Sequence, residues 1–74
     1  MAKFDDVKFL GAYFGGHAEM CHLIAAYGFE PPLLDTASKW FRRGAIPGSW
    51  FPILLGVLEL DNGGPISVTP FIVR

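Results

Sequence analysis

Asp35, Ser38, Lys39 and Arg42 follow one another at i, i+3, i+4 and i+7, with Thr36 and Arg43 beside them. On a helix that spacing gathers the four on one face. The chemistry of the set is specific. Lysine and arginine donate to the acceptor edge of guanine, serine pairs with several bases, and aspartate accepts from the cytosine amino group. Guanidinium groups also meet phosphate, which supplies affinity without sequence information. The alternative is an amphipathic helix whose polar face meets only water. The opposite face carries Leu33, Ala37, Trp40 and Phe41, with Leu34 beside them, and is expected to be a core stripe.

Charge is distributed to match. The chain has 74 residues and a formal net charge of −1. Its first 35 residues hold two cations against five acids, and the rest hold four cations against two acids. From Thr36 to Leu58 there are three cations, Lys39, Arg42 and Arg43, and no acid. A polyanion-binding protein is usually more basic overall, so the signal is local.

Other chemistries find little support. His17, Cys21 and His22 lie close together, but no second ligand cluster follows, so no metal is expected. There is no nucleophile–base–acid set and no glycine-rich phosphate loop after a strand, so neither enzyme activity nor a cofactor is expected. A lone cysteine excludes an internal disulfide. The N-terminus lacks the order of a signal peptide. The longest charge-free apolar run, residues 45–58, falls short of the roughly 20 residues that span a bilayer. The expectation is a soluble, cytoplasmic protein.

The elements that would position these residues are cut out by glycine and proline. Asp5 and Asp6 suit a helix start, and the apolar spacing predicts a first helix over about 5–14. Met20, Leu23, Ile24 and Tyr27 predict a second over about 17–27, closed by Gly28. Pro31 and Pro32 fit only a helix start, so a third is expected over about 33–43, ending at Gly44. Ser49 can cap a fourth, over about 49–60, with Pro52 in its first turn. The tail, residues 65–74, reads as a strand or arm that Pro70 restricts to an edge. The class is a mostly α single domain of four helices, with the second and third paired as in a helix-turn-helix.

"FGGHAEMCHLIAAYG" followed by "SKWFRRGAIPGSW" resembles the small helix-turn-helix regulators of phages and prophages, the Cro and lambda-type repressor group. The densest match is Ser38, Trp40, Arg43, Gly44, Ile46 and Pro47. The stretch from Ala25 to Trp40 is several residues longer than the family pattern, so a longer second helix and a looser turn are expected. The resemblance implies a repressor that reads the major groove of double-stranded DNA with helix 33–43. Asp35, Thr36, Ser38 and Lys39 would then lie nearest the bases. Arg42 and Arg43 would meet phosphates. His17 and Ser49, near two helix N-termini, are further phosphate candidates. Trp40, supported by Phe41, would lock the recognition helix onto its neighbours, with Ile46 tucked inward.

The fourth helix is apolar on most sides. Trp50, Ile53, Leu54 and Val57 make one face, and Phe51, Leu55 and Leu58 another. With a mean hydropathy of +0.37, a chain this short has little to cover both. A homodimer is expected, joined through Phe51, Leu55, Leu58, Val68, Phe71 and Val73, which would suit a palindromic operator. The alternative cover is the chain's own tail folded back over that helix. The rival function is a protein-interaction module, an antitoxin or small inhibitor, that uses the fourth helix and the arm.

Overall fold

The computed structural model describes residues 3–73. It is mostly helical: α1 (Asp6–Tyr13), α2 (His17–Ala26), α3 (Leu34–Arg43) and α4 (Phe51–Asn62). Two short strands, β1 (Lys3–Phe4) and β2 (Ile72–Val73), pair antiparallel and join the two ends of the chain.

Each helix end has a local cause. Asp5 caps α1, its Oδ1 accepting from the Lys8 N–H at 3.0 Å. Gly28, at φ 87°, closes α2, and the Phe29 N–H reaches back to the Ile24 carbonyl at 3.2 Å. Gly44 and Gly63 close α3 and α4 in the same left-handed conformation. α2 stops at Ala26 and is not the longer helix expected; the extra length in this region goes into a seven-residue connection, Tyr27 to Leu33. A compact helix-turn-helix uses three or four.

The core runs through all four helices. Phe9 and Leu10 of α1, Met20, Cys21 and Ile24 of α2, Ala37 and Trp40 of α3, and Leu54, Val57 and Leu58 of α4 are buried. α3 packs against both α1 and α2.

Three expectations need correction. Leu33 and Leu34 do not belong to the core stripe; they are 78% and 56% exposed. The long connection starts α3 beyond the cover of α2, and its inward contacts begin one turn later, at Ala37.

The fourth helix does not start on a Ser49 cap. The chain enters α4 through a 3-10 turn, Gly48–Trp50, and no side chain caps either element.

The tail is the third. Residues up to 73 are described, and residue 74 of the expected arm lies outside them. The expected strand is present as β2, but it pairs with β1 of the same chain. The Asp5 N–H donates to the Phe71 carbonyl at 2.7 Å, and the Tyr13 hydroxyl donates to the Ser67 carbonyl at 2.9 Å. Phe71 is buried among Phe9, Tyr13 and Phe4, with ring centroids 5.6, 5.7 and 6.4 Å away. Phe51 of α4 meets Phe4 edge-on at 5.3 Å. Of the six residues assigned to a dimer contact, Leu58 and Phe71 are therefore interior to one chain. Phe51, Leu55 and Val68 pack against that same core, and Val73 alone is exposed. The reason is a contact between the chain ends: β1 gives the tail a partner of its own.

Candidate nucleic-acid interface

The polar face of α3 lies open. Asp35, Thr36, Lys39, Arg42 and Arg43 are exposed, and Ser38 is half-buried at the margin. Among the described residues, no side-chain hydrogen bond engages Lys39, Arg42 or Arg43. Along the helix these side chains fall into two adjacent i±4 rows. One is Leu34, Ser38 and Arg42; the other is Asp35, Lys39 and Arg43. Each row starts without positive charge and ends in guanidinium.

The C-terminal half of this face is held from beneath. Trp40 is buried, and its ring packs against Trp50 with centroids 5.4 Å apart. Gly44 caps the helix at φ 68° and approaches α1 closely: a Cβ there would lie 2.8 Å from Val7 Cγ2. Two residues on, the Ile46 N–H donates to Asp6 Oδ2 at 3.0 Å, and the Ile46 side chain is buried. Asp6 was read from sequence only as a helix-start residue. Its role as a clasp on the loop after α3 joins positions 40 residues apart, and no local pattern signals it. The clasp also places a carboxylate beside the basic end of α3, which lowers the positive potential there.

His17 is half-buried at the start of α2, its ring 6.3 Å from that of Phe41. It therefore borders the C-terminal half of α3, on the side of Phe41. The Cys21 thiol donates weakly to the Pro32 carbonyl at 3.6 Å. These contacts run in opposite order along the two segments, with the start of α2 against the end of α3. Ser49 is exposed on the 3-10 turn before α4.

Burial pushes the Cys21 thiol above its ordinary pKa, so it stays protonated at neutral pH and makes a poor metal ligand. Among the described residues, no group of three or more His, Cys, Asp or Glu side chains is placed to hold a metal. No described helix is long and apolar enough to cross a membrane.

No protein-family model matches the chain, and neither a curated protein nor a solved structure is recognisably similar to it. Its chemistry must be argued from its own surface.

Proposed function

We propose that this chain binds double-stranded DNA through the exposed face of α3 and acts as a sequence-specific transcriptional regulator. One observation carries the reading: three exposed cations, Lys39, Arg42 and Arg43, that make no side-chain hydrogen bond among the described residues, on a helix fixed by the Trp40–Trp50 contact. A flexible basic loop would lose ordering entropy on binding; a packed helix end has already lost it. The resemblance of Ser38 to Pro47 to the phage repressors adds to this support.

In this reading α3 enters the major groove. Asp35, Thr36, Ser38 and Lys39 face base edges, while Arg42 and Arg43 meet the phosphate backbone. His17, whose ring lies 6.3 Å from that of Phe41, is a further phosphate candidate at the start of α2. The seven-residue connection makes this a loosened relative of a helix-turn-helix, in which α3 is set by its C-terminal anchors rather than by the turn.

The rival reading, a protein-interaction module that docks through α4 and the tail, loses Leu58 and Phe71, which are buried within one chain, and keeps Leu60, Ile72 and Val73, which are exposed. A palindromic operator would still need two copies, and Leu60 of α4 with Ile72 and Val73 of the tail remain exposed for such a contact.

The test is salt dependence. Each phosphate neutralised contributes about −0.9 to the slope of log K against log[salt]. The two phosphate contacts, Arg42 and Arg43, predict a slope of about −1.8 by fluorescence anisotropy with a labelled duplex. The triple variant Lys39→Ala/Arg42→Ala/Arg43→Ala should lose most of it. A wild-type slope near zero would remove the proposal.

A further inference from the structure

Leu33 and Leu34 are left uncovered at the N-terminal end of α3. A single exposed leucine is ordinary. Here two follow one another, Leu33 at the N-cap and Leu34 at the first residue of the helix that carries the cations. Leu34 stands at the head of the row that continues through Ser38 to Arg42, so a surface meeting Ser38 and Arg42 meets Leu34 as well. Leu33 precedes it with an extended backbone, at φ −61° and ψ 147°.

In the proposed docking, the N-terminal part of α3 faces the bases. The major groove offers one apolar feature, the C5-methyl group of thymine. We infer that Leu34, flanked by Leu33, packs against a thymine methyl and makes the site select thymine at that position. This rests on the DNA-binding reading above and adds a determinant to it. The row then runs from apolar to hydroxyl to guanidinium, which matches the order methyl, base edge, phosphate from groove floor to backbone. A protein partner would explain the leucines equally well taken alone. It would not explain why they continue the row that ends in Arg42.

The experiment begins with selection of a preferred duplex from a random pool by the full chain. Each thymine of that duplex is then replaced by deoxyuridine, which removes only the methyl group. One replacement should weaken binding about four-fold, the effect of returning one buried methyl to water. Leu34→Ala should bind the thymine duplex about as weakly as the wild type binds the deoxyuridine one, and should no longer distinguish the two. Both leucines are exposed, so circular dichroism should show the variant folded. If no replacement matters, or if Leu34→Ala remains as sensitive as the wild type, the inference falls while the DNA-binding reading stands. If the selection returns no preferred duplex, the DNA-binding reading falls and takes this inference with it. A loss of self-association in Leu34→Ala, without change in thymine discrimination, would assign the leucines to a second copy instead.

Discussion

The two ends of α3 are built in opposite ways. At the C-terminal end, Trp40 meets Trp50 of the turn before α4, while Gly44 and Ile46 meet Val7 and Asp6 at the start of α1. At the N-terminal end no side chain caps the helix, a seven-residue connection leads into it, and two leucines face outward. One end is fixed by packing and presents charge; the other has no side-chain cap and presents apolar surface. The helix owes its position to the end that carries the cations. The uncovered end is therefore free to vary in side chain without moving them.

Substitutions at the anchored end should separate most sharply from those at the open end. Trp40→Ala should cost about 3–5 kcal/mol, through the lost ring and the cavity it leaves, and in a domain this small that removes most or all of the stability. Circular dichroism melts would show it. Leu34→Ala should stay within about 0.5 kcal/mol. A folded Trp40→Ala protein would place the tryptophan outside the core and undo the contrast.

The tail is a second anchored region. Phe71→Ala should also destabilise by about 3–5 kcal/mol, and deleting residues 66–74 should unfold the helices rather than spare them. Had the tail been an arm serving a partner, the helices would survive its removal and only association would suffer. Chemical denaturation of the truncated chain distinguishes the two.

Glycine sharpens the contrast at smaller scale. Gly44→Ala must adopt a left-handed conformation, at about 1–2 kcal/mol, and must also push Val7 aside. Gly28→Ala, at φ 87° with open space around it, should bear only the conformational cost. Equal losses of midpoint in urea for the two variants would mean that Val7 gives way freely and the end of α3 is less tightly held than described.

The smallest effect is expected at the far end of α2. Tyr27 donates its hydroxyl to Asp61 Oδ1 at 3.1 Å. Partial desolvation, then the Asp61 carboxylate, raises the Tyr27 pKa above the ordinary tyrosine value. A group with a raised folded-state pKa contributes stability below its unfolded pKa and loses it as pH rises through the folded one. Tyr27→Phe should therefore show a slightly flatter fall in melting temperature above about pH 10 than the wild type. An unchanged alkaline slope would mean the hydrogen bond is too exposed to matter.

The anchored end of α3 was legible in the sequence because its signals are local. Ala37 and Trp40 stand at helical spacing opposite Asp35 and Lys39, Gly44 is a helix-ending glycine, and Ile46 follows within two residues. The open end was misread for the same reason. Periodicity alone puts Leu33 and Leu34 in register with Ala37 and Trp40, but the register says nothing about how far α2 extends to cover them. The tail strand was legible and is present as β2, but its pairing was not, because its partner lies at the opposite end of the chain. A pairing of Lys3 with Val73 and Phe4 with Ile72 involves two residues on each side, too few for an alternating pattern to appear. The clasp from Asp6 to Ile46 is likewise a long-range contact that spacing cannot reveal. For the candidate site, the sequence identified the exposed cations and their helix. It did not show that His17 would lie beside Phe41, or that Ser49 would sit on a 3-10 turn rather than cap α4.

The claim that matters most is that the exposed face of α3 meets DNA, and amide chemical-shift mapping tests it directly. Titrating an isotopically labelled chain with a duplex selected for binding should move the resonances of Leu34 to Arg43 and of His17, and leave those of α4 and the tail in place. Shifts concentrated on α4 and the tail, or none at saturating duplex, would contradict the account.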